Sequence, residues 1–216
     1  AGDVHLEDFA YAPFHTPFPG MVRKAAALAY RHVTRDTEHE EALAEEIGRQ
    51  PRRESFDDDA EYEDAVREYM SALKDTEQYA DWYAATVDPT LSIARDVGNW
   101  YTASVHVARI AALKSAYEND VDVTGENLLV ASYGSGAQAE IHAETVQDGW
   151  REEIAALNVD EQVAARYDLS WAEYEEVHDR HNHDMDKELE EFTTPSAEFV
   201  FDGWGRMGER KYTYVE

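Results

Sequence analysis

The chain has 216 residues, enough for one large domain or for a large domain with a small lobe. Its 47 acidic residues outnumber its 19 basic residues, and the resulting formal net charge of -28 argues against nucleic acid or an anionic membrane as a partner. Because no cysteine is present, the chain cannot contain a disulfide, a zinc–thiolate site or a cysteine nucleophile.

The acid-rich composition is typical of proteins from a cytoplasm that contains molar salt. Lysine is scarce, whereas acidic residues are interleaved with periodic apolar residues along most of the chain, which indicates folded structure. At molar ionic strength the Debye length falls to about 3 Å, so the self-repulsion of such a surface is screened. We therefore predict a halophilic origin. Since we find neither a membrane-spanning run nor a signal segment, we expect a soluble, cytoplasmic protein.

The first chemical landmark is a histidine between two elements. Residues 7–14 predict a short strand that stops at His15, and the turn-forming residues 15–20 follow. Apolar residues at three- and four-residue steps then predict a helix from Met21 to Val33. Rigid strands aim side chains and helix N-termini add positive potential, so His15 occupies a position that suits a catalytic group.

The middle of the chain predicts helices. Residues 35–56 indicate a surface helix followed by a loop, and residues 57–87 resume helical spacing. Either Asp88 or Thr90 could cap the next helix. The longest apolar-periodic stretch, residues 91–118, predicts a buried helix because its many small residues allow close packing.

The next segment predicts a hairpin. Residues 127–131 form a short apolar run typical of a buried strand, and residues 137–147 alternate between apolar and polar. The glycine-containing residues 132–136 lie between them and predict the turn.

The C-terminal part predicts an acidic extension. Residues 148–192 indicate helices, with Trp171 and Tyr174 as packing anchors. Two short strands, within residues 199–201 and 212–215, are predicted around a glycine-containing turn.

Three local patterns carry chemistry: Phe-His-Thr-Pro-Phe at 14–18, Val-Gly-Asn-Trp-Tyr-Thr-Ala-Ser at 97–104, and Ser-Tyr-Gly-Ser-Gly at 132–136. Each alone is compatible with a structural histidine, a capping asparagine or a tight turn. In this order and spacing they resemble the C-terminal half of hydroxymethylglutaryl-CoA synthases. The resemblance covers nearly the whole chain but only about half of the family's length.

The resemblance implies an α/β fold, the C-terminal half of a thiolase-like layered structure. Residues 1–147 would form this half, with a helical insertion at 35–90. Residues 148–216 would be an acidic helical extension that ends in a short strand pair.

The family condenses acetyl-CoA with acetoacetyl-CoA, and the resemblance implies no cofactor beyond these substrates. It makes His15 the acid/base group and a donor to the ketone oxygen, a step that suits a pKa near neutrality. Asn99 would be a second donor, and the backbone N–H of Ser135 would complete an oxyanion hole. The family's cysteine nucleophile and general-base glutamate lie in the N-terminal half. We therefore expect this chain to be inactive alone.

The resemblance also implies substrate contacts. CoA phosphates would meet Lys24 and the neighbouring Arg23, although Gly20 stands where many relatives carry a further lysine. The walls of the acyl pocket would include Tyr101, Tyr133 and Gly134.

Partners and alternatives remain open. A cysteine-bearing N-terminal half, from the same gene or from a separate subunit, would complete the enzyme, which we expect to be a dimer. The chain could instead be a non-catalytic thiolase-like scaffold, or belong to another condensing enzyme of the ketoacyl-synthase type.

A cluster of histidines and acids raises the possibility of a metal site. It comprises His178, His181 and His183 with Asp179 and Asp184. On a helix, residues 178 and 181 share a face whereas residue 183 points elsewhere. We therefore predict a solvated surface and no metal.

Overall fold

The computed structural model describes residues 5–134, 138–183, 199–204 and 210–214. The chain divides into two compact units, Ala1–Val159 and Asp160–Glu216. The boundary that the sequence suggests after residue 147 stays a prediction. No helix in the described part of the chain has the length and apolar character needed to cross a membrane.

Helices make up most of the first unit. Its α-helices are α1 Pro19–Val33, α2 Glu38–Ile47, α3 Asp59–Leu73, α4 Glu77–Trp82, α5 Ser92–Val97, α6 Ser104–Glu118 and α7 Trp150–Ala156. Short 3-10 turns lie at Leu6–Asp8, Arg53–Ser55, Asp88–Leu91 and Tyr101–Ala103, and a π-helical turn covers Tyr83–Val87. The predicted helix over residues 21–33 is confirmed. It begins two residues earlier because Pro19 fits the first helical turn, where its missing N–H costs nothing.

A hairpin forms the sheet of this unit. Strands β1, Asn127–Gly134, and β2, Gln138–Thr145, pair antiparallel from Asn127↔Thr145 to Gly134↔Gln138. The predicted hairpin is therefore confirmed, although its connecting residues 135–137 lie outside the described part of the chain. On the other edge of β1, the segment 9–15 runs parallel to it through the bridges Tyr11↔Leu128 and Phe14↔Ala131.

The segment before His15 differs from the predicted strand over residues 7–14. Leu6–Asp8 form a 3-10 turn, in which the Asp8 carboxylate accepts a hydrogen bond from the backbone N–H of His5 at 2.8 Å. This local hydrogen bond competes with an extended conformation. Only the later residues extend alongside β1, with Leu129 N–H donating to the Tyr11 carbonyl at 2.9 Å.

Strand β1 is covered on both faces. Leu128 and Val130 point to one side, where they pack with α6 and α7 through Val105 and Trp150. Ala131 packs on the other side with Val22, Ala26 and Phe14, so α1 covers that face. This alternation follows from the two-residue period of a strand and produces a helix–sheet–helix layering.

A third core joins the predicted helical insertion to α1. Tyr30 and Leu43 pack with Tyr69, Leu73 and Tyr79. The predicted surface helix in 35–56 is confirmed as α2. The helical spacing of residues 57–87 is interrupted between α3 and α4, where the buried Thr76 hydroxyl accepts a hydrogen bond from Tyr79 N–H at 3.3 Å and caps α4.

Neither predicted cap of the next helix performs that role. Thr90 donates its hydroxyl proton back to the Val87 carbonyl at 2.7 Å, and Asp88 pairs with Arg95. No side chain caps α5. The predicted cap was wrong because the side chains of Thr90 and Asp88 are already engaged in these other hydrogen bonds.

The prediction of one long helix over residues 91–118 was also wrong, because this stretch forms two helices, α5 and α6. Gly98 ends α5 at a φ of 86°, a left-handed conformation that favours glycine. The loop between the helices exposes Asn99 and Tyr101, and α6 begins only at Ser104.

The second unit contains helices and a strand pair. Helix α8, Val159–Ala164, starts at the unit boundary, and α9 covers Trp171–His183. Strands β3, Phe199–Trp204, and β4, Arg210–Tyr214, pair antiparallel, which confirms the predicted strand pair. Trp171 is 71% exposed and Tyr174 is 48% exposed, so neither is the buried packing anchor that the sequence predicts; the two rings contact each other at a separation of 5.4 Å. Residues 184–198 of the predicted acidic helices lie outside the described part of the chain.

Candidate active site

His15 is fixed by its place beside the sheet. Its backbone N–H donates to the Ala131 carbonyl at 2.8 Å, so it lies level with the end of the buried part of β1. Its ring is half-buried, and burial lowers the pKa of His15 below its ordinary value of 6.5 because the charged form is poorly solvated there. Burial thus favours the uncharged form of the ring over the charged form.

The ring of His15 contacts two other elements. Its Nδ1 lies 2.9 Å from the Oγ of Ser104, the first residue of α6. Its centroid lies 6.1 Å from the ring of Tyr133, near the end of β1. Three separate parts of the chain therefore meet at the imidazole.

The loop between α5 and α6 places Asn99 in a defined orientation. Asn99 Oδ1 accepts a hydrogen bond from the backbone N–H of Tyr101 at 2.7 Å. Because an amide carries oxygen and nitrogen on opposite arms, this bond leaves the NH2 group of Asn99 to donate elsewhere. Tyr101 adopts a φ of 50°, which is unusual outside glycine, and its side chain is 77% exposed.

Hydrogen bonds connect this loop to His15. The Ser104 hydroxyl lies 2.7 Å from the Tyr101 carbonyl and 2.9 Å from His15 Nδ1. The N–H of the same Tyr101 is held by Asn99. The structure thus joins the predicted residues His15, Tyr101 and Asn99 in one network, and Ser104 is its centre.

An open apolar cavity of about 890 Å³ begins at His15. His15 and Tyr133 both line it, between the face of α1 that carries Met21 and Leu28 and the face of β2 that carries Ile141. Met21, Leu28 and Ile141 are 44%, 54% and 63% exposed, respectively, so this face presents apolar surface to solvent. Exposed apolar side chains that line one cavity often mark an interaction site.

A second cavity, of about 340 Å³, gathers positive charge. It is lined by Gly20 and Arg23 of α1 together with Lys74, which follows α3, and Arg95 of α5. Arg95 pairs with Asp88, whereas Arg23 and Lys74 have no acidic partner within ion-pair distance among the described residues. On a chain with a net charge of -28, this cluster is a local concentration of positive charge, although Asp88 also lines the cavity.

The predicted site residues are thus distributed as follows. His15 and Tyr133 share the apolar cavity, and Arg23 lines the basic one. Lys24 is exposed and lines neither of these two cavities. Gly134 ends β1, and Ser135 lies outside the described residues. The chemical roles assigned to all of them stay predictions.

Three residues of these sites were not singled out from the sequence. Ser104 stands in the Asn99 motif, but only the fold brings it to His15, 89 positions away. Lys74 and Arg95 carried no local signal, because they belong to separate elements that the fold brings together around Arg23.

The histidine cluster of α9 is only partly described. His178 stacks on Tyr174 with a ring separation of 5.8 Å. The side chains of His181, His183, Asp179 and Asp184 lie outside the described part. Among the side chains that the structure describes, no group of three or more His, Asp or Glu is placed to hold a metal ion.

Comparisons with known proteins agree with the layered fold and the motifs. Residues 1–204 match the family "Hydroxymethylglutaryl-coenzyme A synthase C terminal". The chain is 61% identical over all 216 residues to the hydroxymethylglutaryl-CoA synthase of Haloferax volcanii, and it spans 48% of that relative's length. That relative comes from a salt-loving organism, which fits the predicted halophilic character.

Two solved structures share the fold. MvaS in complex with 3-hydroxy-3-methylglutaryl coenzyme A superposes with a TM-score of 0.69 at 24% identity, covering 100% of this chain and 44% of MvaS. PksG, an HMG-CoA synthase from Bacillus subtilis, gives a TM-score of 0.65 at 19% identity, covering 100% and 46%. The predicted α/β fold class, a partial thiolase-like layered structure, is confirmed. The chain belongs to the hydroxymethylglutaryl-coenzyme A synthase C-terminal family.

Proposed function

We propose that this chain supplies the acid/base half of a hydroxymethylglutaryl-CoA synthase. The reaction would join acetyl-CoA, acetoacetyl-CoA and water to give hydroxymethylglutaryl-CoA and free CoA. The observation that supports this most strongly is the placement of His15, held by Ser104 and beside Tyr133 at one end of an open apolar cavity. A nucleophilic cysteine must come from elsewhere, since this chain has none.

His15 would act when the carbon–carbon bond forms. The general-base glutamate that the resemblance places in the other half would remove a proton from the methyl carbon of the acetyl group, which is held there as a thioester on the cysteine. The resulting enolate carbon would attack the ketone carbon of acetoacetyl-CoA. Its electron pair displaces the C=O π electrons onto oxygen, and the protonated His15 ring donates its proton to that oxygen. The ring then recovers a proton from solvent.

Two further groups would lower the energy of the developing oxyanion. The NH2 group of Asn99, left unpaired by the bond from Tyr101 N–H to Oδ1, would be a side-chain donor. The backbone N–H of Ser135 would serve the acylated cysteine, as the family resemblance implies. Tyr101, Tyr133 and Gly134 would shape the acyl pocket.

The other half of the enzyme would cover the apolar cavity. Its exposed Met21, Leu28 and Ile141 form a face that needs a partner, and the chain spans only about half the length of its curated relatives. We propose that a cysteine-bearing N-terminal half docks there, and that the complete enzyme is a dimer.

The reconstituted enzyme tests this function. We expect that mixing this chain with the cysteine-bearing half in molar KCl produces acetyl-CoA-dependent loss of acetoacetyl-CoA, whereas each half alone produces none. Circular dichroism and gel filtration would check that both halves fold and associate. An associated complex of folded halves without turnover would support a scaffold role instead.

The basic cavity would hold the phosphates of CoA. Arg23 lines it, and Lys74 and Arg95 add charge where Gly20 replaces a lysine common among relatives. Phosphate oxygens accept strong charge-assisted hydrogen bonds from such side chains.

Replacing Lys74 with alanine is expected to raise KM for acetoacetyl-CoA about three- to tenfold, with little change in kcat. The effect is modest because the site is open to solvent and screened by salt. Steady-state kinetics at two KCl concentrations would measure it. Arg67→Ala is the matched control, because Arg67 lies on the preceding helix and pairs on the surface with Asp64. If Lys24→Ala raises KM and Lys74→Ala does not, the phosphates bind at Lys24 instead.

A further inference from the structure

The Ser104 hydroxyl contacts three polar groups, which differ in whether they can donate or accept a hydrogen bond. It lies 2.7 Å from the carbonyl oxygen of Tyr101, 3.3 Å from the backbone N–H of Thr16 and 2.9 Å from His15 Nδ1. Ser104 is 2% exposed, so water does not compete for these bonds. A hydroxyl has one proton to donate and two lone pairs to accept.

Two of the three contacts have only one possible direction. A carbonyl oxygen can only accept, so the single Ser104 proton belongs to the Tyr101 carbonyl. A backbone N–H can only donate, so Thr16 occupies one lone pair. The remaining lone pair faces His15, and it is satisfied only if Nδ1 carries a proton.

The opposite arrangement places two acceptor oxygens against each other. If Ser104 donated to Nδ1, its lone pairs would face the Tyr101 carbonyl at 2.7 Å without an intervening proton. Two acceptors at that distance repel each other, although the Tyr101 carbonyl would still accept the backbone N–H of Ser104.

We propose that Ser104 is a positioning residue that holds the proton of His15 on Nδ1, so that Nε2 alone exchanges protons with the substrate. Because the same bond persists when the ring is charged, the imidazole can gain and lose a proton at Nε2 without turning. The catalytic consequence depends on the proposed function, whereas the tautomer itself does not.

The network would also couple His15 to the second donor. Tyr101 accepts from Ser104 through its carbonyl and donates to Asn99 through its N–H. Ser104 therefore fixes the ring and the loop that carries Asn99 at the same time. This explains in physical terms why α6 begins with a buried serine instead of an apolar residue.

The tautomer can be measured in this chain without any assay of activity. With 15N-labelled histidine in the full chain of 24.6 kDa, long-range proton–nitrogen correlation distinguishes protonated from bare ring nitrogens. His15→Gln identifies the His15 signals. At a pH where the ring is neutral, we expect a protonated Nδ1 and a bare Nε2. A protonated Nε2 in the unaltered chain would overturn the proposal by itself.

Variants then test the cause. Ser104→Ala is expected to move the ring proton to Nε2, and Ser104→Thr, which keeps the hydroxyl, to restore Nδ1. Thr16→Val removes a neighbouring buried hydroxyl, bonded to the Phe14 carbonyl at 2.8 Å, and should leave the tautomer unchanged. An unchanged tautomer in a folded Ser104→Ala chain would refute the role of Ser104.

In the reconstituted enzyme Ser104→Ala should lower kcat for condensation about 10- to 100-fold, by analogy with metal-binding histidines that lose their orienting hydrogen-bond partner. Acetylation of the cysteine should continue at its normal rate. Absence of turnover in the unaltered enzyme would refute the proposed function while the NMR result still decided the role of Ser104.

Discussion

Replacing His15 with alanine is expected to slow condensation by the reconstituted enzyme by orders of magnitude while acetylation of the cysteine in the other half continues. The ketone oxygen acquires negative charge only when the carbon–carbon bond forms, and His15 is the group proposed to protonate it. A positioned acid–base group contributes about 10²- to 10⁴-fold to a rate. We expect kcat for condensation to fall by that factor.

Two measurements separate the steps. Consumption of acetoacetyl-CoA reports condensation, and transfer of labelled acetyl groups to protein reports acylation. His106→Ala is a matched control, because His106 is an exposed histidine two residues beyond Ser104 that does not line the cavity of His15. If His15→Ala blocks acylation as well in a folded, associated enzyme, the role assigned to His15 is wrong.

The sequence predicted the parts of the fold that depend on local periodicity. Helix α1 and the hairpin of β1 and β2 follow from spacing of three to four and of two residues. The long helix over residues 91–118 failed for an instructive reason. Val97, Tyr101 and Val105 keep a four-residue spacing across the loop, yet Tyr101 is exposed at a positive φ. Gly98, a typical C-terminal helix signal, was the evidence against continuity.

Only those residues of the candidate site that belong to a recognisable sequence motif could be predicted. His15 and Asn99 were found from their settings, and the structure links them through Tyr101 and Ser104. The basic cavity could not be found in this way. Its cations come from positions 23, 74 and 95, and their proximity depends on how α1, the C-terminal end of α3 and α5 pack.

A different prediction concerns stability. Replacing Arg52 with methionine is expected to lower the free energy of unfolding by about 3 kcal/mol, because it leaves the buried Glu40 carboxylate without its counter-charge. The Glu40 side chain is 5% exposed, and both of its oxygens lie within 3.0 Å of the Arg52 guanidinium. The backbone N–H of Asp36 remains as a donor at 2.7 Å, and Arg52 itself is 23% exposed, so we expect the lower end of the usual range.

Urea unfolding in molar KCl measures this effect, and salt should not rescue it, because counter-ions screen exposed charges far better than buried ones. Arg67→Met is the control: both partners in its ion pair with Asp64 are at least 70% exposed, so its loss should cost under about 1 kcal/mol. The double variant Glu40→Leu with Arg52→Met removes both charges and should recover most of the lost stability. If Arg52→Met and Arg67→Met lower the free energy of unfolding equally, burial of Glu40 does not determine the cost of losing its counter-charge.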